Sequence, residues 1–200
     1  MPAVDGSYAS LKNTLVQMDL YVRPESVMGK ENSGPLSTGF PHGKPDITTT
    51  TAIRLLLDKA ANVEEALVLL SQYDLHASMG MMVHLALSDV EGRSVVVEYV
   101  NNEMVVTETP IVTNFYLAEG EKYGIGTSQS HTRYDILNKA LTEQETMTET
   151  GLRDALDSVS KDNFGEFEST EWSIVMNQET KELTYYHREN YDQGYTLSVE

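Results

Sequence analysis

The sequence predicts an α+β fold around one central sheet that is covered on both faces. Strand-like and helix-like stretches come in blocks: a strand, two helices, a strand meander, two helices, then a hairpin. They do not alternate, which argues against a doubly wound parallel sheet. The meander strands are also apolar on both pleat faces. Val83, Leu85 and Leu87 fall on one face, with Met82 and Ala86 on the other. Val95, Val97 and Tyr99 likewise oppose Val96 and Val100. A sheet with one wet face would alternate more cleanly. Helices are therefore expected on one side and a second sheet on the other.

Asp5–Lys12 is weakly patterned. Thr14–Val22 (TLVQMDLYV) alternates and is rich in strand formers. Arg23–Asp46 holds Pro24, Pro35, Pro41 and Pro45 and four glycines. It is too long for an ordinary connection and reads as a functional loop, a lid or a mobile segment, or else as a plain surface excursion. Thr48–Ala60 opens with four threonines, any of which can cap a helix. Ile53, Leu56, Leu57 and Ala60 then recur at helical spacing. Asn62 can cap a second helix, with Glu64 and Glu65 in the first turn, where the dipole favours anions. Ala66, Leu67, Leu70 and Tyr73 form its apolar side.

The meander, Met82–Phe115, organises the chain. Met82–Asp89 and Ser94–Val100 flank the Gly92-containing Val90–Arg93, a β-hairpin signature. Asn101-Asn102 supplies a second turn. Met104–Val106 and Ile111–Thr113 are expected to continue the sheet. Gly120–Ser130 is a Gly/Ser-rich loop. Ser130–Leu141 reads as a helix with Tyr134, Leu137 and Leu141 on one side, and Thr148–Ser160 as another with Leu152, Ala155, Leu156 and Val159 inward. Asp162–Ser169 is a loop. Thr170–Asn177, the turn Gln178–Lys181 and Glu182–His187 form a hairpin, and Tyr195–Val199 a last, partly exposed strand.

A chain of 200 residues is expected to form a single domain, or one large part of a bigger fold. Its net charge of −17 argues against nucleic acid and against an anionic membrane surface as partners. No apolar run reaches the ~20 residues of a membrane span. The N-terminus lacks the basic start and apolar core of a signal peptide, so a cytoplasmic location is expected. There is no cysteine. That removes disulfides, thiolate metal sites and any cysteine nucleophile within these residues.

The five histidines show no metal-ligand spacing on a helix. Phosphate-loop, dinucleotide and Gly-x-Ser-x-Gly fingerprints are absent, and Gly124-Ile-Gly126 lacks a preceding strand. No cofactor is expected. His84, inside a strand, reads as a packed, hydrogen-bonded residue. Asp89 with Gly92 reads as a hairpin turn, because calcium-loop spacing is missing. Glu98, the one carboxylate inside the apolar stretch Ser94–Val100, reads as a structural ion pair or a solvent-facing residue in preference to a catalytic one.

Asn114 and Arg133 remain as candidate site residues. Asn114 ends the meander and enters a loop. It is either a turn residue or an amide donor to a developing oxyanion. Arg133 is expected in the first turn of a helix, the end whose dipole disfavours cations. It has either a specific anionic partner or a place on the surface.

The segment His84-Leu-Ala-Leu-Ser-Asp89-Val-Glu-Gly92-Arg-Ser-Val-Val-Val-Glu98-Tyr resembles the core hairpin of the choloylglycine hydrolase and linear-amide C–N hydrolase family. Penicillin V acylases, bile salt hydrolases and isopenicillin acyltransferase relatives belong to the same wider group. Other matches run in the right order. Thr48-Thr-Thr, Leu55-Leu-Leu-Asp58 and Val63-Glu-Glu-Ala66 resemble the helix pair before the hairpin. Thr113-Asn114-Phe115 and Ser130-His-Thr-Arg133-Tyr134 resemble the motifs after it. Trp172-Ser-Ile-Val175 and Leu183-Thr-Tyr-Tyr resemble the C-terminal hairpin. The likeness spans Val16–Val199.

The resemblance implies an N-terminal-nucleophile hydrolase with an αββα four-layer sandwich, of which this chain would be the C-terminal two-thirds. It implies hydrolysis of a small-molecule linear amide in the intact enzyme. A leading cysteine would be the nucleophile, and its own α-amino group the base. Asn114 would then help bind the oxyanion and Arg133 support the nucleophile. The departure is that this chain has no cysteine. Three readings stay open: an amidase part completed by a separate N-terminal segment, a non-catalytic homologue acting in binding, or a serine or threonine nucleophile after processing, which requires cleavage before Ser7 or Ser10. The expected partners are a missing N-terminal segment or a second copy in a homo-oligomer.

Overall fold

The computed structural model describes residues 7–11, 14–21, 43–76, 82–100, 103–118, 128–143, 147–160 and 170–198, with backbone alone for 7–11, 14–21, 76, 82 and 128. In chain order the elements are β1 (Ser7–Leu11), β2 (Thr14–Tyr21), β3 (Asp46–Thr48), α1 (Thr49–Lys59), α2 (Val63–Leu70), β4 (Asp74–His76), β5 (Met82–Asp89), β6 (Ser94–Val100), β7 (Glu103–Glu108), α3 (Ser128–Glu143), α4 (Glu149–Ser158), β8 (Trp172–Asn177), β9 (Glu182–His187) and β10 (Gly194–Ser198). The expected loops at 23–42, 120–127 and 162–169 and the turn at 101–102 lie outside the described residues.

The hairpin β5–β6 is the centre of a five-stranded antiparallel sheet, in the order β1-β2-β5-β6-β7. Its turn forms because Asp89 folds back on itself: Oδ1 accepts the N–H of Glu91 (3.1 Å) and of Arg93 (3.2 Å). Gly92 takes φ +87°, where a side chain would be strained. The other carboxylate oxygen of Asp89 accepts the N–H of Val63 at 2.9 Å, tying the start of α2 to the sheet.

Helices α1 and α2 cover one face of that sheet. Thr48 Oγ1 accepts the N–H of Thr51, and Asn62 Oδ1 that of Glu65 at 2.9 Å. Glu65 reaches back to the N–H of Ala61, a reciprocal arrangement close to a capping box. Leu56, Leu70, Leu85, Leu87, Val95 and Val97 meet in one fully buried cluster. The short parallel strands β3 and β4 bracket the helix pair. At three residues each they are too short to show a period in the sequence.

Two expectations are corrected here. Ser7–Leu11, weakly patterned in sequence, is a strand that pairs with β2. Ile111–Thr113 does not continue the sheet. β7 ends at Glu108, and Pro110 follows, which has no N–H for a ladder. After Thr109 donates to Ser94 O (3.1 Å), the chain doubles back across the second face of the sheet. There Val112 packs with Ala86 and Val96.

The second sheet, β10-β9-β8, is also antiparallel. Helices α3 and α4 cover it. Leu137, Leu152, Leu156, Val175 and Tyr186 share a cluster that also takes Ile111 of the crossing segment. Gln178, in the β8–β9 turn, donates to Ser88 O at the end of β5 (3.4 Å). The crossing segment links the two halves, with Val112 on the second face of the first sheet and Ile111 in the cluster under α3 and α4. The other face of the second sheet carries Ile174, Leu183 and Tyr185 beside Tyr195 and Leu197, which are 54% and 60% exposed.

Gly194 allows β10 to pair. A Cβ there would lie 2.5 Å from Thr184 Cγ2 and 3.0 Å from Tyr186 Cε1. Gly194→Ala is expected to lower stability by about 1–3 kcal/mol, the usual scale of an overpacked contact, and to loosen β10 first. Denaturant unfolding with amide exchange checks this; an unchanged midpoint together with unchanged β10 protection would refute the close approach.

Candidate active site

The crossing segment Thr113–Ala118 carries the site. It begins against α3, where Thr113 Oγ1 donates to Ser130 O (3.1 Å). A tight turn follows, with Phe115 N–H donating to Thr113 O (2.8 Å). The Phe115 ring stacks on His131 with centroids 4.0 Å apart and meets the edge of Tyr134 at 5.3 Å. These contacts seat the turn on the start of α3.

Between them stands Asn114. Its Oδ1 accepts a hydrogen bond from Nη2 of Arg133. Arginine can only donate, so the amide oxygen is the atom facing it, and the amide N–H₂ is directed elsewhere. The structure therefore brings the two sequence-predicted residues together. It corrects two particulars of Arg133. The helix starts at Ser128, so Arg133 is in its second turn and not its first. Arg133 is buried, and the reading of it as a surface residue fails.

The far end of the segment is fastened to the central sheet. Tyr116 Oη donates to Val83 O at 2.8 Å. Burial, and then the charge of Glu98, push the Tyr116 phenol above its usual range, so it remains a neutral donor. Glu98 is fully buried on β6. Its Oε1 accepts the N–H of Leu117 (2.9 Å) and its Oε2 that of Ala118 (2.6 Å). His84 Nδ1 lies 3.2 Å from Oε1. With Glu98 as an ionised carboxylate, that ring nitrogen is the donor of the pair. Of the two readings of Glu98, the structural pair holds and the solvent-facing one fails.

Sequence reasoning noted His84 and Glu98 singly but missed their partnership. The signal was present. A hairpin that sets Leu85 opposite Val97 sets His84 opposite Glu98. Thr113 and Tyr116 gave no comparable signal, since their partners are backbone carbonyls distant in sequence.

Among the described residues, no three His, Cys, Asp or Glu side chains are grouped to hold a metal, and no helix is long and apolar enough to cross a membrane. A cavity of about 730 Å³ opens where Ser88, Gly92, Thr148 and Gln178 converge, at the hairpin-turn end of the sheet. Neither Asn114 nor Arg133 lines it.

Residues 42–192 match the family described as acyl-coenzyme A:6-aminopenicillanic acid acyl-transferase. The chain belongs to this family. Solved structures agree on the fold. Penicillin V acylase from Agrobacterium tumefaciens superposes with a TM-score of 0.60 at 15% identity, over 88% of this chain and 60% of that one. Two variants of conjugated bile acid hydrolase from Clostridium perfringens give TM-scores of 0.63 and 0.65 at 14% identity. They cover 93% and 92% of this chain and 70% of theirs. No curated protein matches the sequence. The family member thus has the N-terminal-nucleophile αββα fold and spans 60–70% of the length of these three structures. Its family and its structural neighbours are acyl transferases and amide hydrolases.

Proposed function

We propose that this chain is the oxyanion-binding part of an enzyme that cleaves a linear amide C–N bond and passes the acyl group to water or to an amine. A nucleophile outside Met1–Glu200 attacks the amide carbonyl. The carbonyl oxygen becomes an oxyanion, and Asn114 donates to it from its amide N–H₂. Collapse of this adduct expels the amine, which takes up a proton, and leaves an acyl-enzyme for water or a second amine to attack. Arg133 holds the Asn114 amide in the donating orientation and adds positive charge near the developing anion.

The observation that carries this reading is the Arg133–Asn114 bond, because it turns a flexible amide into a donor of fixed direction. The substrates named for the neighbours, penicillin V and conjugated bile acids, support an acyl group joined through an amide to a small acid as the substrate of this reading. The exposed apolar side of the second sheet supports a partner there, either an N-terminal segment that brings the nucleophile or a second copy. The lack of cysteine supports the alternative of a non-catalytic binding protein.

The test compares the pure 200-residue chain with the protein isolated from its native source, each assayed on penicillin V and on conjugated bile acids. The expected result is no turnover by the chain and turnover by the native form, accompanied by a cysteine-led segment in its mass spectrum. Robust turnover by the pure chain would refute the external nucleophile. An inactive native form would favour the binding protein.

A further inference from the structure

We propose that Glu98 is a positioning residue for Asn114, acting through the backbone of Leu117 and Ala118. This rests on the reading of Asn114 as the oxyanion donor. Asn114 lies between two anchors. On one side Thr113 is bonded to Ser130 of α3, the helix that carries Arg133. On the other, two consecutive N–H groups converge on one carboxylate of the central sheet. Glu98 is thus where the segment bearing the donor is bolted to the rigid core.

The chemistry calls for a carboxylate. Three donors converge on it: two backbone N–H groups and His84 Nδ1. Only a group with two acceptor oxygens and no hydrogen can serve all three. A glutamine of the same shape offers one oxygen and turns an N–H₂ toward a donor. Burying a full charge is expensive, and an apolar contact would hold a loop in place without that cost. What the carboxylate adds is direction: it sets the heading of residues 116–118, and through them the place of Asn114 relative to Arg133. His84, across the strand pair, fixes the rotamer of Glu98.

The experiment uses Glu98→Gln, with Glu98→Asp as a second variant in case the first does not fold. Leu57→Ala, on the far side of the sheet, is the control for general destabilisation. Two readouts need no turnover. Amide exchange at Leu117 and Ala118 is expected to rise by roughly 10- to 100-fold, the scale of a lost hydrogen bond to a charged group. The side-chain amide resonance of Asn114 is expected to move in both Glu98 variants and stay fixed in Leu57→Ala. An Asn114 resonance unchanged in both Glu98 variants overturns the proposal. In the active form a double-mutant cycle adds the kinetic readout. Glu98→Gln should lower kcat with KM unchanged, and should have no further effect once Asn114 is alanine. An equal loss in both backgrounds overturns the proposal. A native form without turnover refutes the amidase reading, and the two structural readouts still decide the role of Glu98.

Discussion

Asn114→Asp is expected to remove about 100- to 1,000-fold of kcat from the active form, the usual worth of one oxyanion-hole donor, while leaving the fold as stable as before. The substitution keeps an oxygen where Arg133 donates, and a carboxylate there is a stronger acceptor than an amide. It deletes the N–H₂ and places negative charge where the oxyanion would form. Alanine is a less clean replacement, because it also takes the acceptor away from a buried guanidinium. Steady-state kinetics beside a thermal melt separate the two effects. An aspartate variant with native kcat would show that Asn114 is a turn residue and nothing more. A variant that loses activity and stability together would show that the Asn114–Arg133 contact is structural.

Glu98→Ala is expected to destabilise the chain by about 3–5 kcal/mol, the scale of breaking a buried charged pair. It leaves two backbone N–H groups and the imidazole without their partner in a buried place. Against a whole stability of roughly 5–15 kcal/mol, that is a large fraction. Urea unfolding measures it from the shift in midpoint at constant slope. The loss should exceed that of Gly194→Ala, which disturbs only an exposed edge strand. A loss below about 1 kcal/mol, the net worth of one ordinary hydrogen bond, would mean that water reaches the site and that the carboxylate is no clamp.

Much of the fold is legible in the residues because the signals are local. Asn62 and Thr48 accept the N–H groups of Glu65 and Thr51, as cap chemistry requires. The apolar double face of β5 and β6 foretold a sheet covered twice, and α1 with α2 cover one side of it. The reading failed where a local signal was outweighed. Ile111–Thr113 has strand composition, yet Pro110 ends the ladder and the second face of the sheet needs covering. Ser7–Leu11 lacks a pattern, yet it pairs along its length with β2. Strand formation there follows from the neighbour and not from propensity.

For the site, the sequence by itself determined which residues are available: Asn114 at the end of the meander, Arg133 in the following helix, Glu98 among the apolar residues of the hairpin and no cysteine. It also determined the helix pair, the hairpin and the turn at Asp89, since each rests on contacts a few residues apart. Only the tertiary structure decided that Arg133 faces the oxygen of Asn114, and that Glu98 receives the backbone of residues 117 and 118. Those partners stand 19 and 20 residues apart in the chain. No local preference encodes such a distance. The pairing is set by where Pro110 turns the segment back and by the burial of Val112 against Ala86 and Val96.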